Sequence, residues 1–348
     1  MGNMMKKERV MAADSSPPEV KRLIRSKLPA YIFKPTPWLL AFPVINAALM
    51  IMGIYAVGQV DSWLLKIGIT LLVGHQMFVV GNFSHYLSHL SIISNRRLCY
   101  VFEVLLWGIA GSSATVWVRS HNAYHHQYTN GNRDTFRAFS ETEATPKRRW
   151  IHRLLSPNSE VRFSPMVLMT YFATHSAYFS GALYGKSGDI SSVVPFVPDF
   201  SKTQKRRVLF EIAVMVGVQV GFFFLLGADW LTYLMVYALS TFIGSGIASL
   251  YLFTQHSLFP LSDDNDPIRN SASLKVNPVI DWWHMYVSRH VEHHYFPNMS
   301  PIHLPQVTRL LEEHYPSLYT RTTFSEVLPE IFNLPLFKQD TISLRKEA

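Results

Sequence analysis

Four apolar runs, each long enough to cross a lipid bilayer, constrain the fold of this chain more than any other feature. They are Pro37–Gly58, Trp63–Gly81, Val208–Gly227 and Trp230–Phe253. A helix of about 20 residues rises roughly 30 Å, which matches the hydrocarbon core of a membrane. Inside a bilayer the backbone must satisfy its own hydrogen bonds, so such runs form helices. The sequence therefore predicts an all-α integral membrane protein with four transmembrane helices.

The spacing of these runs predicts two hairpins, and the charge pattern predicts their orientation. Only residues 59–62 separate the first two runs, and only Ala228 and Asp229 separate the last two. The two turns contain Asp61 and Asp229 but no Lys or Arg, although the chain carries a formal net charge of +8. Basic residues are frequent in the N-terminal arm and between the hairpins. Because positive loops stay in the cytoplasm, we expect both termini and the middle region to be cytoplasmic.

The remaining segments divide the chain into three parts. We predict a cytoplasmic N-terminal arm at residues 1–36, a membrane domain at 37–325 and a C-terminal tail at 326–348. Two further apolar stretches, Leu98–Val118 and Ser164–Tyr184, contain several polar residues. We expect these two stretches to be interfacial or re-entrant. No recognisable nucleic-acid-binding module accompanies the basic residues, so we expect membrane lipid and no nucleic acid as a partner.

Most of the 15 histidines fall into three clusters with helical spacing. The clusters are H-x-x-x-H at His85 and His89, H-x-x-x-H-H at His121, His125 and His126, and H-x-x-H-H at His290, His293 and His294. Residues four apart lie on one face of a helix. We therefore expect the ring nitrogens of each cluster to converge on one point above its helix. Three such clusters together are a strong indication of a metal site, whereas one would be weak.

The predicted topology places all three clusters at one membrane face, in a histidine-rich helical cap. His256, just past the end of the fourth run, joins them there. Nine histidines are too many ligands for one ion and suit two, and imidazole suits Fe(II), which can activate O2. The single cysteine excludes a Cys-rich metal site. Asp134, Asp281 and Glu292 are candidate carboxylates for orienting the ligands, although each could equally be a solvated surface acid.

The clusters, their order and their placement after the second and fourth runs resemble the membrane fatty-acid desaturases. The segment from His290 to Met299 looks very like the H-x-x-H-H-x-F-P-x-M signature of that family. The stretch from Thr129 to Arg137, after the second cluster, is also similar. The resemblance runs from about residue 37 to about residue 320. It departs from the usual pattern at Tyr86, where the family often has an acid, and at Ser300, where proline is frequent.

The resemblance implies a di-iron enzyme (Fe2+/Fe3+) that uses O2 to desaturate a fatty-acyl lipid or thioester. The electron donor would be a separate protein of the ferredoxin or cytochrome b5 type, because the chain has no His-Pro-Gly-Gly segment of cytochrome b5. Carried over by position, the resemblance makes nine residues iron ligands: His85, His89, His121, His125, His126, His256, His290, His293 and His294.

Two alternatives stay open at this stage. A hydroxylase or ketolase could use the same centre, because ligand spacing does not separate rebound of oxygen from loss of a second hydrogen. A non-enzymatic haem or metal carrier is less favoured, since its ligands would lie inside the bilayer. Double-bond position, substrate carrier (CoA, carrier protein or intact lipid) and oligomeric state are also open.

Polar residues outside the clusters predict smaller features. We expect His75, Glu211 and Gln219 to form interhelical hydrogen bonds. His284 is a candidate for supporting a ligand, with an ordinary structural role as the alternative. Part of the aromatic content would line an acyl tunnel among the spans. We expect ordinary structural roles for His152, His175, His303 and His314.

Overall fold

The computed structural model describes residues 16–161, 164–185 and 192–339, which are mostly helical. The helices are α1 (Pro17–Lys27), α2 (Ala41–Gln59), α3 (Trp63–Ser88), α4 (Arg96–Ile109), α5 (Ala114–Tyr128), α6 (Pro146–Leu155), α7 (Thr170–Tyr184), α8 (Lys202–Leu225), α9 (Trp230–His256), α10 (Pro267–Asn270), α11 (Pro278–Trp283), α12 (His290–Tyr295), α13 (Leu304–His314) and α14 (Phe324–Phe332). Two short strands, β1 (Ser273–Leu274) and β2 (Arg321–Thr322), pair in parallel.

Four helices are long and apolar enough to cross a membrane, as the sequence predicted. They are α3, α8, α9 and α2 together with the helical turn that precedes it (Pro37–Gln59). Residues 60–62 join α2 to α3, and residues 226–229 join α8 to α9. Asp229 caps α9 by accepting hydrogen bonds from the backbone N–H of Leu231 and Thr232. The prediction of two helical hairpins is confirmed.

Three of these helices extend past the apolar runs that predicted them. Helix α8 begins at Lys202, because Ser201 and Gln204 form a capping box that starts the helix in a basic segment. Helix α3 continues to Ser88, and α9 continues to His256. The expectation that His85 and His256 lie past the ends of their helices is therefore wrong, whereas His89 directly follows α3 as expected. His85 and His256 lie inside the last turns of α3 and α9, which fixes their direction.

Helix α3 packs closely against α9, and small residues allow this contact. A Cβ atom at Gly74 would lie 2.9 Å from the Ser240 carbonyl oxygen and 2.7 Å from Ile243 Cβ. Glycine therefore lets the two backbones approach, as is common between membrane helices. This packing brings the ends of α3 and α9 side by side. We call this the histidine end of the bundle.

Helices α4 and α5 form a bent segment (residues 96–128) and not one straight span. Their axes differ by 105°, and Gly111 at the corner has a φ of +75°, which favours glycine. The segment starts soon after His89 and ends with the second cluster. Because both clusters lie at the histidine end, the segment leaves and returns at the same end. This course agrees with the predicted re-entrant arrangement.

The second ambiguous stretch forms α7, which has only 15 residues. It packs along α9, where Ser245 Oγ donates to the Leu168 carbonyl and accepts from the Phe172 N–H. With the helical turn that precedes it (Pro165–Met169), it is not among the described helices that are long and apolar enough to cross a membrane. Helix α7 therefore forms a wall beside α9.

A helical cap from α10 to α14 covers the histidine end, and α1 packs against it. Val20 and Ile24 of α1 are fully buried in the same core cluster as residues of α13. The predicted boundary after residue 325 falls inside α14, whose Val327 and Ile331 are buried. Residues up to 339 therefore pack on the domain. Residues 1–15 and 340–348 of the predicted arm and tail lie outside the described residues.

Candidate metal centre

All nine predicted histidines come together at the histidine end, in two groups. Within each group, one ring nitrogen per residue lies within 4.8 Å of all the others. Group 1 contains five residues: His85, His89, His121, His126 and His293. Group 2 contains four: His125, His256, His290 and His294.

The Nε2 atoms of four group 1 histidines form a closed ring. The successive distances are 2.8 Å from His293 to His85, 3.0 Å from His85 to His121, 3.0 Å from His121 to His126 and 3.1 Å from His126 to His293. The centre of a planar ring with such edges lies about 2.1 Å from each corner, which is a typical metal–imidazole distance. The fifth member, His89, has a buried Nε2 without a hydrogen-bond partner in the described part of the chain. This donor set fits a metal ion.

Group 2 is smaller but equally close. His290 Nε2 lies 2.6 Å from His256 Nε2 and 3.0 Å from His294 Nε2. His125 Nδ1 lies 2.9 Å from the Asp134 carboxylate, so its Nε2 is the nitrogen available to the group. The His125 and His256 ring centroids are 4.8 Å apart. Four imidazoles with close nitrogens could hold a second ion.

Each group contains histidines from more than one of the sequence clusters. The expectation that each cluster converges on one point is wrong for the second and third. In the second, His121 and His126 belong to group 1 and His125 to group 2, because residues 118–125 form a π-helix. The wider turn of a π-helix places residues five apart on one side. In the third cluster, His293 joins group 1, while its neighbours His290 and His294 join group 2.

Burial favours the neutral form of most of these rings, which is the form that metal binding requires. Six group members outside the spanning helices show a clear shift. Burial, followed by the neighbouring histidines, lowers the pKa of each well below its usual value: His89, His121, His126, His290, His293 and His294. A neutral imidazole keeps a lone pair for a metal ion.

Of the three acids proposed to orient ligands, Asp134 contacts a histidine. Burial alone would raise its pKa, but the His125 ring and the backbone N–H groups of Phe136 and Asn130 hold the pKa of Asp134 below its usual value. These N–H groups donate at 2.8 Å and 2.7 Å. The carboxylate is thus fixed in place and holds the His125 ring in one orientation.

The other two acids anchor the protein around the third cluster. Asp281 pairs with Arg289, the residue before His290, at 3.0 Å. Glu292 accepts hydrogen bonds from three hydroxyl groups, those of Ser273, Thr308 and Tyr319. Both acids therefore position α12 and the loop before it through contacts other than a histidine ring.

The predicted interhelical hydrogen bonds are present, but one has an unexpected partner. Gln219 accepts from Tyr233 of α9 at 3.3 Å. His75 Nε2 lies 3.0 Å from the Nε2 of His284, whose Nδ1 lies 3.0 Å from the Tyr251 hydroxyl. Within the described residues, His75 and His284 contact neither group. His284 thus joins the cap to the spans and does not support a ligand.

An apolar cavity runs from the two groups into the helix bundle between α3, α5, α7 and α9. Histidines of both groups form one end of it: His85 and His121 from group 1, His125 and His290 from group 2. Its wall also includes large aromatic and aliphatic side chains: Phe78, Trp107, Trp117, Phe136, Tyr171, Phe172, Tyr251 and Leu252. Such a shape suits a hydrocarbon chain with one segment held beside both groups.

His175 lies in the cavity wall, although the sequence suggested an ordinary role. Trp117 stacks on His175 at 5.3 Å and on His121 at 4.4 Å. His175 Nδ1 lies 2.8 Å from the Tyr171 carbonyl oxygen. Its isolated position in an apolar stretch gave no signal for this placement.

Comparison with known proteins agrees with this geometry. The family model described as fatty acid desaturase matches residues 61–325, a segment that includes all nine histidines. No curated protein matches the sequence at a significant level.

Proposed function

Because this chain belongs to the fatty acid desaturase family, we propose that it uses O2 to introduce a double bond into a fatty-acyl chain, at two iron ions held by the nine histidines. The family and the four spanning helices make it a membrane protein of a family that oxidises fatty acids.

The observation that carries the proposal is the apolar cavity that ends at both histidine groups. An acyl chain in this cavity would be dry and held in one register, so that the same two methylenes stay beside the groups. A haem or metal carrier would need no such cavity.

Imidazole ligands suit Fe(II), and bound iron would supply the reduction of O2 and the oxidising power to remove hydrogen from an unactivated methylene. Loss of two hydrogens from adjacent methylenes, with two electrons and two protons from outside, converts one O2 into two waters. In this scheme the cavity walls hold the methylenes, and Asp134 keeps His125 oriented.

We also propose that a separate protein of the ferredoxin or cytochrome b5 type delivers the electrons. We also assign the histidine end to the cytoplasm. Arg25 and Lys27 at the end of α1 and Arg96 and Arg97 at the start of α4 lie near this end, whereas the opposite turns carry acids.

Lipid analysis by mass spectrometry tests the proposal. Cells that express the wild type should gain lipids lighter by two hydrogens, and cells that express His293→Ala should not. His314→Ala is the matched control, because His314 belongs to neither group and should leave the product unchanged. Lipids heavier by one oxygen would identify a hydroxylase instead. Unchanged lipids together with a Soret band in the purified protein would identify a haem carrier.

A further inference from the structure

Glu211 is a buried acid within a spanning helix, and it binds residues of two other helices. It lies in α8 and is 2% exposed. Its Oε1 accepts hydrogen bonds from Tyr100 Oη of α4 at 2.9 Å and from Thr115 Oγ1 at 2.6 Å. Its Oε2 accepts from Thr115 N at 3.0 Å and from Ser113 Oγ. Four donors match the lone-pair sites of a carboxylate.

These contacts clamp the corner of the bent segment. Ser113 and Thr115 stand where the chain turns by 105° into α5. Ser113 Oγ also accepts from Val116 N at 3.2 Å, so the hydroxyl that binds Glu211 caps the same helix. An ionisable residue inside a membrane is costly, and apolar packing alone could have held this corner. The carboxylate therefore implies a need for a fixed position.

The helix that starts at this corner carries the second histidine cluster. Its π-helical part begins three residues after Thr115, and such helices are rare and concentrated at functional sites. At the far end, Thr129 Oγ1 donates to the His125 carbonyl oxygen at 2.9 Å. At the near end, the clamp on Glu211 holds the backbone.

We propose that Glu211 is a positioning residue, which fixes the corner at residues 113–115 and so sets where the second cluster meets the two groups. This inference rests on the two-metal function proposed above. His121 and His126 serve group 1 and His125 serves group 2, so a shift of this one helix changes both groups. Neighbouring Nε2 atoms within the groups lie 2.6 to 3.1 Å apart. A displacement of about 1 Å would alter them by a third, and misplacement on that scale can reduce rates by about 100-fold.

The matched variants are Glu211→Gln and Glu103→Gln. Glu211→Gln keeps the shape of the side chain. Its amide N–H group would, however, face one of the hydrogen-bond donors that bind the carboxylate in the wild type. Glu103 is also a buried acid of the bent segment, 5% exposed, and it makes no hydrogen bond to residues 113–115 in the described structure. For Glu211→Gln we expect kcat to fall about 10-fold to 100-fold, with more O2 consumed per double bond. We also expect a changed absorption spectrum after loading with Co2+. Glu103→Gln should resemble the wild type in all three measurements.

A second pair of variants tests the positioning role of Glu211 if Glu211→Gln does not fold. Thr115→Val removes one hydroxyl donor of the clamp without a change in volume, and Thr115→Ser keeps the donor. The proposal expects uncoupled O2 use and an altered Co2+ spectrum in Thr115→Val only. Wild-type coupling and spectrum in Glu211→Gln, or equal behaviour of the two Thr115 variants, would overturn it. A wild type that binds two Co2+ but oxidises no lipid would instead refute the proposed function, while the Co2+ spectra still test the clamp.

Discussion

Met77 should set the length of acyl chain that the cavity accepts. It lies at the inner end of the cavity, with Gly111 and Thr241, and the same residues border a second apolar pocket deeper in the bundle. Met77 precedes His85 by eight residues on α3, so it lies about 12 Å below the histidine groups. An extended chain advances about 1.2 Å per bond, which allows about ten bonds between the reacting carbons and Met77.

The variant Met77→Ala should connect the inner end of the cavity to the deeper pocket. Val73, one turn further from His85, borders that pocket, so about five more bonds become accessible. Each methylene buried contributes about 0.8 kcal/mol, so two extra methylenes should favour the longer substrate by about tenfold. The volume-conserving Met77→Leu should keep the wild-type preference.

Competition between acyl substrates that differ by two carbons, followed by mass spectrometry of the products, measures this ratio. The deciding quantity is the relative kcat/KM for the longer and the shorter chain. An active Met77→Ala enzyme with the wild-type chain-length preference would refute the claim that Met77 closes the inner end of the cavity. Loss of folding would be visible as a lost melting transition, and Met77→Leu shows whether the position tolerates change.

Three further predictions concern the second metal, acid stability and topology. Asp134→Asn should weaken metal binding at group 2 by about 10-fold to 100-fold, which iron analysis would detect as a fall from two ions towards one; two tightly held ions would contradict this. Burial lowers the pKa of His152 to about 4. As the pH falls below about 6.5 the unfolded state therefore binds a proton that the folded state excludes, and stability should fall by about 2 kcal/mol between pH 7 and 5. In melting experiments, His152→Gln should lose about 2 kcal/mol less folding stability over this pH range than the wild type. An equal loss in both proteins would contradict the effect of burial. In intact cells, a membrane-impermeant thiol reagent should label Asp61→Cys but not Lys27→Cys, with little background from the buried Cys99; the opposite pattern would reverse the orientation.

The sequence alone predicted the four spanning helices and the nine histidines that meet at the histidine end. An apolar run of bilayer length has one stable solution, so its position needed no knowledge of tertiary contacts. The spacing of the clusters and the predicted topology placed His85 and His256 at the same end of the bundle before any packing was known. Helix ends were less certain, because caps such as Ser201 extend a helix into polar sequence.

Tertiary structure decided how these histidines are shared. The α-helical period predicted one convergence point per cluster, but the π-helix at residues 118–125 separates His121 and His126 from His125. Packing also brought Asp134, one of three candidate acids, against His125. It placed four hydrogen-bond donors around Glu211. Sequence spacing describes only the direction of side chains within one helix. Which directions meet depends on the positions and bends of several helices, and these positions arise from contacts between residues far apart in the chain.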